Sequence, residues 1–419
     1  MTDLLTAPPG TALSPRPQEC RHCGALFEPE PVAVCADCLG PLDAHYDATR
    51  SLPSREEIAA RPDTLWRFRE WLPFDGEPVL ALDTGCTPLV DAPVLARRLG
   101  VARVWIKNDA VSHPTLSFKD RVVATAINAA AAFGLDTIGC ASTGNLANAV
   151  AAQAARAGFT AWVFIPEDLE PAKVIGTAVY GARLVRVRGS YDDVNRLCAQ
   201  AADRFGWGIV NVNLRGYYGE GSKTVAFEIA EQLGWRLPAA VFAPMAGGSL
   251  VTKLRKGFGE LRAAGLVDGA EPRLFGAQAE GCAPIVRLFE RGGDAIVPEV
   301  PRTIARSIAI GNPADGRYAA AAIRETGGRA LAVPDEAIVA GIRLLAETTG
   351  IFAETAGGVT VAAAVRAAAL KLLTPDLELV LCITGNGLKT TDAVAPALPE
   401  APLIAPKLRE VAALAEAAA

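Results

Sequence analysis

From about Arg103 onward, short β-rich runs alternate with longer alanine-rich stretches, and no other feature of the chain narrows its fold as far. The runs are residues 104–106, 137–140, 161–165, 184–187, 209–212, 240–243, 274–277 and 379–383. Between them, residues 122–133, 146–157, 191–205 and 224–233 carry helical patterns, each long enough to cross back over a sheet. Strand, helix and strand in repetition imply an α/β fold, with parallel sheets covered on both faces. Ligands of such sheets sit beyond the carboxyl ends of the strands, where loops lead into helix N-termini. Upstream, Trp66, Phe68, Trp71 and Phe74 recur at helical spacing and read as a packing patch against the main body.

Composition excludes several function classes. The 419 residues, 51% of them hydrophobic, suffice for a large core and suggest two or three domains. A formal net charge of −5 offers no basic surface to nucleic acid or to an acidic membrane. No uncharged apolar run approaches the roughly 18 residues of a membrane span. The first twenty residues lack a basic stretch followed by an apolar one, which argues against a secretory signal. Nine cysteines are few for this length, and that usage fits a reducing cytoplasm. Residues 1–19, rich in Pro, Thr and Ala, read as a loose tail.

Three strand-to-helix loops have the character of ligand sites. Ala141-Ser142-Thr143-Gly144-Asn145 puts small hydroxylated residues and a glycine at a helix start, which suits a carboxylate or phosphate. Met245-Ala246-Gly247-Gly248-Ser249 has adjacent glycines that let backbone N–H groups close around an anion. Thr384-Gly385-Asn386-Gly387 follows the last strong run. In Pro114-Thr115-Leu116-Ser117-Phe118-Lys119-Asp120-Arg121, Ser117 could cap a helix with Lys119 in its first turn. The positive end of a helix dipole disfavours the ammonium form and favours an amine nucleophile. The alternative is a solvent-facing lysine paired with Asp120.

These segments, in this order, resemble the fold-type II pyridoxal-phosphate (PLP) enzymes of the tryptophan synthase β-like group, and the threonine synthases within it most closely. The segment Ile304-Ala305-Arg306-Ser307-Ile308-Ala309-Ile310-Gly311-Asn312-Pro313-Ala314 is similar to an A-I-x-I-G-N-P element of that family. The resemblance spans about residues 84–393. It implies two three-layer, parallel-sheet domains: a large one from residues 48–116 and 215–419, and a small one from 117–214. It also implies Lys119 as the lysine that holds PLP as a Schiff base. Asn145 would bond the ring hydroxyl, Ala246, Gly247, Gly248 and Ser249 would hold the cofactor phosphate, and Thr384 would face the ring nitrogen. Ser142 and Thr143 would meet the substrate carboxylate, with Asn213, Arg215 and Lys223 as donors to a substrate phosphate. The implied reaction turns O-phospho-L-homoserine and water into L-threonine and phosphate, in a homodimer. Leu116, Val122, the M-A-G-G-S loop and Glu354-Thr355-Ala356-Gly357-Gly358 depart from the family's forms. A cysteate synthase or another PLP lyase on the same scaffold therefore stays open as an alternative.

Cys20-x2-Cys23 and Cys35-x2-Cys38, eleven residues apart, form a pattern suited to tetrahedral zinc in a small ribbon-like knuckle over residues 20–47. All four positions would be filled by protein, so a structural role is expected, with His22 and His45 unneeded as ligands. A binding module built around that knuckle would carry a basic face. Glu28, Glu30, Asp37, Asp43 and Asp47 stand there against Arg21 alone.

Overall fold

The structure, a computed structural model, describes residues 13–47, 50–80, 82–142, 144–167, 169–189 and 191–418. Two sheets organise the body. The larger has six strands in the order Arg329–Val333, Arg273–Ala279, Ala240–Pro244, Glu378–Ile383, Arg103–Asn108 and Leu89–Asp91. All neighbours are parallel except the edge strand Leu89–Asp91, which runs antiparallel to Arg103–Asn108. Ala240–Pro244 is buried at every position, as a central strand covered on both faces must be. The smaller sheet has four parallel strands, Arg183–Val187, Thr160–Pro166, Thr137–Ala141 and Gly208–Ile209. The expected α/β fold is therefore present, with one antiparallel edge that the alternation did not announce. No helix among the described residues is long and apolar enough to cross a membrane.

Helices follow the sequence pattern closely: Lys119–Ala132, Asn145–Ala157, Tyr191–Phe205 and Thr224–Gln232. Three expectations need correction. Residues 209–212 make only the short strand Gly208–Ile209, because Asn213 folds the chain back. Its Oδ1 accepts from the Ile209 N–H at 2.7 Å and its Nδ2 donates to the Trp207 carbonyl at 3.0 Å. The aromatic stretch is a 3-10 helix, Leu65–Trp71, interrupted at Phe68. It still packs as expected, with Phe68 and Trp71 both against Phe227. The tail is ordered from residue 13: Ser14–Pro15 pairs with Phe74–Asp75, and Gln18–Cys20 is a strand of the knuckle.

The start of the Lys119 helix is bolted to the large sheet by a buried ion cluster. Arg121 gives Nε and Nη2 to the two oxygens of Asp109 at 2.8 Å each, and Nη2 to Glu228 Oε2 at 2.8 Å. Lys107, on the strand Arg103–Asn108, reaches the same Glu228 at 2.6 Å. Desolvating four charges is costly, so this network fixes position more than it adds stability. Breaking it would be expensive: removing one partner strands the others.

The knuckle is a three-stranded antiparallel sheet, Leu26–Phe27, Gln18–Cys20 and Leu42–Ala44. It sits against the helix Arg215–Glu220. A Cβ on Gly216 would lie 2.9 Å from both Gln18 Nε2 and the Leu42 carbonyl, so only glycine allows this approach.

Candidate active site

Strand ends of both sheets and the start of the Lys119 helix converge on one pocket. Its walls include Lys119, Ser142, Asn145, Arg215, Tyr218, Gly247, Gly248, Asp315, Glu354 and Thr384. Each wall follows from its local sequence. After Ala240–Pro244 the chain turns through Ala246 and Gly247 into the 15-residue helix Ser249–Ala263. Gly248 makes the turn at φ +95°, where a side chain would be strained and its Cβ would press within 3.0 Å of the Asp315 backbone. The result is a run of backbone groups at a helix N-terminus that opens on the pocket, with Ala246 and Ser249 also lining it.

The lysine segment is tied to the last loop by backbone pairing. Phe118 N–H donates to the Thr384 carbonyl at 2.9 Å, Asn386 N–H to the Leu116 carbonyl at 3.1 Å, and Ser117 bridges Gly385. Leu116 adopts φ +61°, the left-handed region where a glycine would sit without strain. Ser117 does not cap the helix as expected; its hydroxyl is buried without a hydrogen-bond partner among the described residues. Nor does Asp120 pair with Lys119. Its carboxylate accepts from Thr115 N at 3.1 Å, Thr115 Oγ1 at 2.6 Å and Ser117 N at 3.3 Å, closing the turn. Burial pushes its pKa up to about 7 against those hydrogen bonds. Lys119 Nζ instead donates to the Tyr218 hydroxyl at 3.0 Å.

Ser142 lines the pocket, but its hydroxyl already accepts from Gly144 N at 3.0 Å and Ala147 N at 2.8 Å, capping the helix Asn145–Ala157. Thr143 lies outside the described residues. Asn145 donates Nδ2 to Glu354 Oε1 at 2.7 Å and accepts from Lys389 Nζ at 3.2 Å. Glu354 Oε2 is buried on the pocket wall with no partner among the described residues. Burial holds Lys389 below the usual lysine range against the pull of Glu354 and Asp120.

The three expected phosphate donors separate. Arg215 lines the pocket and pairs through Nη2 with Asp315 Oδ2 at 2.6 Å. Asn213 does not reach it, being consumed by the turn described above. Lys223 is turned away as well: its ammonium is fully buried, 2.6 Å from Glu220 Oε2 and 2.9 Å from Glu260 Oε2, under the Tyr46 ring. Both carry polar groups in the right stretch of sequence but face backbone and carboxylates.

Sequence reasoning missed Tyr218, Asn211, Asp315, Glu354 as an acid, and Lys389. Tyr218 lies one helical turn beyond Arg215, so a helix drawn there would have put both on one face. Asp315 follows the I-G-N-P element by two residues. Asn211 accepts from Ala141 N at 3.2 Å and gives Nδ2 to the Tyr191 hydroxyl at 3.2 Å, joining two walls.

Both sites fit the groups the sequence implied. A lysine amine, a glycine cradle at a helix start and an unpartnered buried carboxylate oxygen surround one cavity, as a phosphorylated aldehyde cofactor would require. In the knuckle the four Sγ atoms of Cys20, Cys23, Cys35 and Cys38 lie within 4.8 Å of one another. Cys20 and Cys38 are 3.4 Å apart, and Cys23 and Cys35 3.7 Å. Four tetrahedral Zn–S bonds of about 2.3 Å put sulfurs roughly 3.8 Å apart. The thiols are thus gathered at near-ligand spacing.

Comparison with known proteins agrees with this geometry. Residues 80–385 match the model of a family described as pyridoxal-phosphate dependent enzymes. A threonine synthase of Methanocaldococcus jannaschii is 35% identical over 381 residues, covering 90% of this chain and 93% of the relative. One of Methanosarcina acetivorans is 36% identical over 385 residues, with coverage of 90% and 93%. Among solved structures, a fungal L-serine ammonia-lyase from Rhizomucor miehei superposes with a TM-score of 0.63 at 21% identity. That superposition covers 74% of this chain and 96% of the other, a likeness of fold.

Proposed function

The chain belongs to the pyridoxal-phosphate-dependent enzyme family, and from that membership we propose that it acts as a threonine synthase, converting O-phospho-L-homoserine and water to L-threonine and phosphate. Relatives bearing that activity align along nine-tenths of the chain, which supports the reaction. The observation that carries the site is the meeting of Lys119, the Gly247-Gly248 cradle and Thr384 in one pocket.

When bound, the cofactor supplies an electron sink for negative charge developing on the substrate carbons. Lys119 would hold it through Nζ, the backbone from Ala246 to Ser249 would take its phosphate, Asn145 would meet the ring hydroxyl and Thr384 the ring nitrogen. A neutral hydroxyl at that nitrogen holds a ring proton less firmly than an acid would. Once released, Lys119 Nζ is the base that removes protons from Cα and then Cβ of the substrate. The Tyr218 hydroxyl, 3.0 Å from that nitrogen, orients the amine and steadies its proton. The helix start beside Ser142 would receive the substrate carboxylate, and Arg215 the phosphate that leaves Cγ, lowering the barrier by charge neutralisation. Protons return to Cγ and Cα, and water adds at Cβ, which gives the methyl and hydroxyl groups of threonine.

The cysteine knuckle holds a structural zinc ion, supported by its sulfur spacing. The smaller sheet, within residues 117–214, forms the small domain and the remainder from residue 48 the large one. The nine free cysteines favour a cytoplasmic setting. In the test of the site, Lys119→Ala should lose both the visible absorbance of bound cofactor and phosphate release. Retention of both would remove Lys119 from the role.

A further inference from the structure

We infer that Arg21, carried on the cysteine knuckle, is a positioning residue for the anion-binding end of the pocket, acting by sharing Asp315 with Arg215. The inference rests on the reading of Arg215 as a donor to the substrate phosphate.

Arg21 follows Cys20 directly, and its backbone N–H is fixed within the knuckle by the Pro41 carbonyl at 3.0 Å. Its side chain leaves the knuckle and crosses the Tyr318 ring, with the guanidinium carbon 4.9 Å from the centroid. It ends between two carboxylates, with Nε 3.3 Å from Asp43 Oδ1 and Nη2 2.9 Å from Asp315 Oδ1. The second oxygen of Asp315 belongs to Arg215, at 2.6 Å. Asp315 is buried, so it depends on these partners.

Asp315 also braces the cradle. Its backbone N–H donates to the Gly247 carbonyl at 2.9 Å, and its own carbonyl is what a side chain at Gly248 would strike. One residue therefore sets both the cradle and the arginine beside it. The helix bearing Arg215 and Tyr218 is held by the knuckle at its far end too. Glu220, its last residue, accepts from Tyr46 at 2.6 Å and shares Lys253 with Asp43 of the knuckle.

The chemistry follows from counting partners. A carboxylate facing one arginine takes it bidentate with both oxygens. Asp315 alone would draw the Arg215 fork onto itself and cancel its charge. With Arg21 on one oxygen, Arg215 keeps a single bond there and turns its remaining N–H groups and net positive charge to an anion in the pocket. The knuckle thus backs the active site through Asp315, although none of its residues lines the cavity.

Holoenzyme of wild type, Arg21→Met and Arg21→Lys distinguishes this from plain structural support. Steady-state kinetics with O-phospho-L-homoserine and calorimetric titration with inorganic phosphate are the readouts. In Arg21→Met, KM and the phosphate Kd should both rise about tenfold or more, as for loss of a charged hydrogen bond. Cofactor absorbance should hold, and kcat should fall no further than KM rises. Arg21→Lys should recover part of the loss, restoring the charge but not the fork. It also carries the test if the Met variant fails to fold. Unchanged KM and phosphate Kd would overturn the inference. So would a parallel fall of kcat, cofactor absorbance and phosphate binding, which marks a purely structural role. The phosphate titration needs no turnover, so it judges Arg21 even if wild type leaves O-phospho-L-homoserine untouched, a result that would fail the functional reading instead.

Discussion

Lys119 has an acid beside it in sequence and a phenol beside it in space, and the phenol is its partner. That choice leaves the amine free of a fixed counter-charge, which a base cycling between protonation states needs. Tyr218→Phe should therefore keep cofactor absorbance while lowering kcat by about 10²-fold, read from phosphate release. Asp120 pulls in another direction. Burial lifts its folded pKa to about 7 from the ordinary 3.8, so between those values the folded chain holds a proton that the unfolded chain has released. Stability from this group is thus fullest below about pH 4 and is lost as pH rises toward 7, at up to ~1.4 kcal/mol per pH unit. Urea unfolding across that range should show a shallower fall for Asp120→Asn than for wild type. An unaltered slope would mean that Asp120 is ionised throughout.

At the scale of elements, the joints matter more than the parts. The Lys119 helix is fixed to the large sheet through Glu228, whose carboxyl is held down at about 2 by Arg121 and Lys107 against its burial. Here the sign is reversed. The contribution is whole above the ordinary glutamate value of 4.5 and disappears as pH falls toward 2. Glu228→Leu, which strands the buried Lys107 and leaves Arg121 to Asp109 alone, should cost about 3–5 kcal/mol in denaturant unfolding at neutral pH. The second joint is the knuckle. If zinc holds it, chelation of the metal should raise KM in the same direction as Arg21→Met, and by little further in that variant. An equal added loss in the variant would show that metal and arginine act separately.

For the whole molecule, the sheets and the pocket were largely written in local pattern. Alternation placed the inner strands of both sheets but missed the edge strands Leu89–Asp91 and Arg329–Val333, and the glycine at 248 announced a backbone conformation that the loop does adopt at φ +95°. What escaped depends on direction across distance. Asn213 and Lys223 have the right chemistry in the right stretch, yet one closes a turn and the other faces Glu220 and Glu260. Asp315 gains meaning only from Arg21, 294 positions away in sequence. No periodicity encodes such a meeting. Substrate choice is likewise set by a few side chains around a common scaffold. The most direct measurement is phosphate release by the purified holoenzyme from O-phospho-L-homoserine, set against O-phosphoserine with sulfite. The account requires turnover of the first with threonine as product. Turnover of the second alone, with cysteate formed, would contradict it.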